Sequence, residues 1–131
     1  MLHERYVSCN VAELLKEKGF NELCDKYINR NAPMLTEKYD APRRNDDVTF
    51  GGEDILSAPT QQMALDWVER KGGFISVEPY ADEKNFMWQY KIYHLKEKIS
   101  CRSMCMTNSK NMFMTKKEAT DEALMCFLSS L

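Results

Sequence analysis

Residues 58–80 read APTQQMALDWVERKGGFISVEPY, and this stretch decides the fold. Pro59 and Thr60 are helix-opening residues, and Met63, Ala64, Trp67 and Val68 recur at the three-and-four spacing of one helical face. Arg70 and Lys71 complement the negative end of the helix dipole before Gly72 and Gly73 stop the helix. The period then changes to two, because Ile75 and Val77 alternate with Ser76 and Glu78. A helix over 61–71 followed by a half-buried strand is the prediction.

Outward from this stretch the pattern continues. Residues 86–95, FMWQYKIYHL, place Phe86, Trp88, Tyr90 and Ile92 on one strand face and Met87, Gln89, Lys91 and Tyr93 on the other, after a turn at 81–85. The first set is the predicted core face. A third strand is predicted within 96–106, where Ile99, Cys101, Ser103 and Cys105 share one parity, followed by a turn, TNSKN, at 107–111. Thr115 caps a helix at 116–129, Glu118 completes a capping box, and Ala119, Ala123, Leu124, Phe127 and Leu131 form its apolar stripe. The predicted class is α+β: an antiparallel sheet of three to four strands packed against helices, with the order α-β-β-(β)-α in residues 58–131.

Toward the N-terminus, Ser8 is an N-cap, Val11, Leu14 and Leu15 share a helical face, and Gly19 ends a helix predicted at 9–18. Leu23, Cys24, Tyr27 and Ile28 have helical spacing behind Asn21, so residues 1–30 are predicted to form a helical pair. Residues 31–57 hold Pro33, Pro42, Gly51, Gly52 and the cluster RRNDD without a sustained period, and read as a long loop with an optional short strand at 48–50.

A chain of 131 residues with 44% hydrophobic and 29% charged residues at net −2 is expected to fold as one domain with its own core. His3, Glu4 and Arg5 interrupt any secretory signal, and no window offers the roughly 20 apolar residues of a membrane helix. Five Cys without a C-x-x-C pair favour free thiols in a reducing cytosol, so a cytoplasmic protein is expected. Residues 1–57 carry 8 Lys+Arg against 11 Asp+Glu and residues 58–131 carry 10 against 9, so neither half is a strongly basic footprint.

Catalytic residues are not apparent. His3 and His94 have no carboxylate at a suggestive offset, Asp46, Asp47, Glu53 and Asp54 lie in the polar loop, and Gly51-Gly52 lacks the Lys-Ser/Thr of a phosphate loop. No cofactor is expected. Sulfur is the unusual feature, with nine Met and five Cys in all. Met104, Met106, Met112 and Met114 form a candidate contact patch, since Met supplies adaptable apolar surface for another protein or a second copy. A soft-metal site from His94, Cys101 and Cys105 is an alternative, although thiols four residues apart on an extended strand lie about 13 Å apart. A further alternative is a nucleic-acid surface using Lys116, Lys117, Lys91 and Tyr93.

The residues KKEATDEAL from Lys116 resemble the start of the last helix in double-stranded-RNA-binding domains. That resemblance implies phosphate contacts by Lys116 and Lys117, with Ala119 in register, although the family's Gly-rich turn is replaced by Met112, Phe113 and Met114. Residues 6–28 resemble the opening of excisionase-type helix-turn-helix modules through Ala12, Leu15 and Tyr27, with Glu22 and Asp25 where phosphate would be repelled. Over most of its length the chain is similar to small proteins of gut Bacteroidetes and their phages or prophages. The shared segments are 6–20, 58–79 and 113–124. This similarity implies a shared α+β fold and a mobile-element origin, and the expected function is that of a non-enzymatic interaction protein.

Overall fold

The computed structural model describes residues 5–47, 54–81, 86–98, 101–108 and 112–131, with the backbone alone for 95–98 and 101–108. The architecture is α+β, with three α-helices and two antiparallel three-stranded sheets among the described residues. Within the 131 residues that the composition assigns to one domain, two compact units form: Met1–Ala64 with Leu131, and Leu65–Ser130.

In the first unit, α1 (Cys9–Glu17) begins where the Ser8 hydroxyl accepts the Val11 N–H at 3.4 Å, and the chain leaves it through Gly19 at φ 94°. Val11, Ala12 and Leu15 are its buried face. The second helix of the predicted pair does not form. Its residues make β1 (Cys24–Asn29), which pairs antiparallel with β2 (Glu37–Arg43) and β3 (Ile55–Ser57) in the order β2-β1-β3. The misreading has a simple cause: the buried residues of β1 are Cys24 and Ile28, and a separation of four fits one helical turn as well as two strand repeats. Tertiary pairing then decides.

Among the described residues of the predicted long loop at 31–57, the chain forms β2, a 3-10 turn at Asn45–Asp47, and β3. Neither strand carries a legible alternation, because Tyr39 is the buried residue of β2 and β3 has three residues, all buried. The optional strand at 48–50 lies outside the described residues. Asn45, from the polar cluster, is buried. Its amide nitrogen donates to the Phe20 carbonyl at 2.8 Å and its Oδ1 accepts the Ser57 N–H at 3.0 Å, while the Ser57 and Tyr39 hydroxyls share a hydrogen bond of 2.9 Å. Backbone groups with no ladder partner are thereby satisfied.

α2 (Gln61–Arg70) follows the prediction: the Thr60 hydroxyl accepts the Met63 N–H at 3.2 Å, Ala64, Trp67 and Val68 are buried, and Gly72 at φ 89° ends it. The second unit then builds β4 (Gly73–Ala81), β5 (Phe86–Lys98) and β6 (Cys101–Asn108) in that order, each antiparallel to its neighbour. β5 runs three residues past its predicted end, and most of the predicted turn at 81–85 and part of that at 107–111 lie outside the described residues. α3 (Lys116–Ser129) starts at Thr115, whose hydroxyl accepts the Glu118 N–H at 3.1 Å, and packs on β4 and β5 through Ala119, Ala123, Leu124, Phe127 and Leu128. Leu131 does not join this stripe. It lies beyond the helix, 47% exposed.

The helix approaches the sheet closely at Gly73. A Cβ there would lie 2.3 Å from Phe127 Cε2, so only hydrogen fits. Phe127 also stacks on His94, the cross-strand neighbour of Gly73, at 5.3 Å between ring centroids.

Candidate functional site

The row Phe86, Trp88, Tyr90, Ile92 and His94 faces α3, as the sequence parity predicts, but its burial is graded. Ile92 is 0% and Tyr90 8% exposed, whereas Phe86 is 61% exposed. Lengths explain the gradient: 13 strand residues extend about 44 Å and 14 helical residues about 21 Å, so α3 covers half of β5 at most. The aromatic residues at the hairpin end project past the helix.

These residues meet the start of α3. Trp88 and Phe113 exchange both backbone hydrogen bonds, each 2.8 Å, which ties the segment before the helix to the β5 edge. Phe86 sits edge-on to Trp88 at 5.6 Å, Phe113 stacks on Tyr90 at 6.0 Å, and the Lys116 ammonium lies 5.9 Å from the Trp88 ring centroid. Met112 and Met114, on either side of Phe113, are 42% and 74% exposed. The result is an aromatic surface with a cation at its margin, and two exposed thioethers adjoin it along the chain. Burial, and then the neighbouring Cys126 thiol, push the Tyr90 phenol above its ordinary pKa, so Tyr90 is a neutral part of the base of this surface.

Of the sequence-predicted residues, Lys116 touches this surface, and Met112 and Met114 flank its member Phe113 in sequence. Met104 and Met106 stand on β6 in register with Leu95 and Tyr93. Lys91 and Tyr93 occupy the face of β5 turned away from α3, where Lys91 pairs with Glu78 at 3.6 Å beside Ser76, Gln89 and the half-exposed Phe74. Lys117 pairs along its own helix with Asp121 at 3.1 Å. The four residues of the nucleic-acid alternative therefore divide between two faces of one sheet. His94 and Cys105 are cross-strand partners, and Cys101 is opposite Lys98. Among the described residues no group of three His, Cys, Asp or Glu is arranged to hold a metal ion.

Phe86 and Trp88 are the functional candidates that the sequence reading placed in the core. A signal was available: a 14-residue helix cannot shield a longer strand, and Phe86 stands first after the turn. No described helix is long and apolar enough to cross a membrane. Comparison with family models, with curated proteins and with solved structures finds no match for this chain.

Proposed function

We propose that this chain is a small non-enzymatic interaction protein of phage or mobile-element type, and that it contacts a partner protein through Phe86, Trp88, Met112, Met114 and the Lys116 stem. The observation that carries this reading is the exposed Phe86 set edge-on against the half-buried Trp88, with exposed Met112 and Met114 flanking Phe113, the backbone partner of Trp88. Contact cores are enriched in aromatic residues and Met, and a Trp seated among other apolar groups is the commonest kind of anchor. The mobile-element part rests on the sequence similarity of segments 6–20, 58–79 and 113–124.

The test is quantitative affinity capture from host lysate with the wild type and with the Phe86→Ser/Met114→Ser double variant. Both positions are exposed, so the circular dichroism spectrum is expected to be unchanged. A protein enriched by the wild type and lost with the double variant supports the reading. Identical recoveries from the two proteins, or none above the bare matrix, refute it.

A second reading is favoured by Lys116 standing over Trp88, because a cation beside an exposed Phe and a half-buried Trp also suits a stacked base and its phosphate. Mobility-shift titration with double-stranded RNA and DNA at two salt concentrations separates the readings. A phosphate contact must weaken steeply as salt rises and must be lost in Lys116→Gln.

A further inference from the structure

We propose that the outer edge of β4 is a self-association site, at which residues 73–77 of two copies pair antiparallel and join their sheets into one six-stranded sheet. The proposal concerns a surface other than the aromatic patch and does not depend on it.

Backbone parity locates the free ladder. Trp88 directs its N–H and C=O to Phe113, away from β4, so the opposed pair Pro79/Trp88 exchanges no hydrogen bonds. Directions alternate along a strand. Phe74, Ser76, Glu78 and Tyr80 therefore bond to β5, while Gly73, Ile75, Val77 and Pro79 turn their backbone groups to the outside. Pro79 agrees independently, since its missing N–H is tolerated only on the outward side of an edge. Among the described residues, no hydrogen bond from outside the sheet reaches the backbone of Gly73, Ile75 or Val77.

Edges left open in this way are normally blunted, and the two units treat theirs differently. β2 has Lys38, Asp40, Pro42 and Arg43, and a register irregularity opposite it in β1. β4 pairs through nine consecutive residues without a bulge, and residues 73–77, GFISV, bear no charge. The occupant follows from this chemistry. A ladder of unpaired N–H and C=O groups is satisfied by another strand, and an antiparallel two-fold pairing places each segment against itself, which a neutral segment tolerates and a charged one does not. Centred on Ile75, the pairing exchanges hydrogen bonds between the two Ile75 residues, sets Val77 opposite the buried Gly73 of the second copy and leaves Pro79 outside the paired span.

The experiment is sedimentation velocity of the full chain from low micromolar to several hundred micromolar, with residue-resolved amide hydrogen exchange at both extremes. A reversible dimer is expected, with the Ile75 and Val77 amides protected at high concentration only and the Phe74, Ser76 and Glu78 amides protected at both. Val77→Pro removes an outward donor and no β4–β5 bond, and Phe74→Lys puts a charge on the edge at a half-exposed position. Each is expected to weaken association at least tenfold with folding retained, and if Val77→Pro fails to fold, Phe74→Lys carries the test. A monomer at all concentrations, or a dimer that both folded variants leave unchanged, overturns the proposal.

Discussion

Replacing Asn45 by Ala would strip the first unit of two hydrogen bonds between segments far apart in sequence. The side chain joins Phe20 O at 2.8 Å to Ser57 N at 3.0 Å, and the three residues are 8%, 1% and 0% exposed. Each backbone group left buried and unpaired costs about 1–3 kcal/mol, so Asn45→Ala is expected to lose roughly 2–4 kcal/mol once partial relaxation is allowed. Asn45→Asp sharpens the test. An ionised carboxylate still accepts from Ser57 N–H but confronts the Phe20 carbonyl, whereas a protonated one can donate to it. Burial and that carbonyl raise the folded pKa above the ordinary Asp value near 3.9, and a penalty of about 3 kcal/mol corresponds to a rise of about two units. A group with a raised folded pKa contributes stability that is present below its unfolded pKa and lost as pH rises through the folded one. Asn45→Asp should therefore match Asn45→Ala or fall below it at pH 7, and should recover toward the wild type between about pH 6 and 4. Both tryptophans, Trp67 and Trp88, belong to the second unit, so urea unfolding is followed by far-ultraviolet circular dichroism together with exchange of the Ser57 amide. An Asn45→Ala loss below about 0.5 kcal/mol, or an Asn45→Asp deficit that ignores pH, would refute the reasoning.

Three further outcomes are expected. Gly73→Ala drives a methyl group into the Phe127 ring and should cost about 1–3 kcal/mol in urea unfolding followed by tryptophan fluorescence, with part of the loss recovered in Gly73→Ala/Phe127→Leu. Strict additivity of the two changes would show that the contact is absent. Thr115→Ala removes the acceptor for the Glu118 N–H and should lower stability by about 1 kcal/mol in the same assay, while Thr115→Ser should retain most of it. Burial, with Asp25 and Glu22 nearby, pushes the Cys24 thiol up to about 12, so native alkylation at pH 8 followed by peptide mass mapping should find Cys24 unmodified while the exposed Cys126 reacts. Equal labelling of the two contradicts the assigned burial.

Legibility divides near residue 58. Beyond it the helix limits are written locally: Thr60 and Thr115 cap, Gly72 takes the left-handed conformation, and the predicted helices at 61–71 and 116–129 differ from Gln61–Arg70 and Lys116–Ser129 by one residue at most. Before it, α1 was legible for the same reason, through Ser8 and Gly19. β1, β2 and β3 were not, because burial at Cys24, Ile28 and Tyr39 gives no unique period and each strand forms only through its partners. The candidate surface was half legible. Met112, Met114 and Lys116 were singled out by chemistry, while Phe86 and Trp88 were hidden in a strand face correctly read as apolar.

By itself, then, the sequence determined where the helices begin and end and which face of β5 is apolar, since caps, glycines and side-chain period act within a few residues. Only the tertiary structure decided that residues 24–29 extend into a sheet and that Asn45 of a polar cluster is buried between Phe20 and Ser57. It alone decided, too, that the first aromatic residues of β5 outrun the helix covering the rest. These outcomes depend on pairing and relative lengths of elements distant along the chain, and no local window contains them.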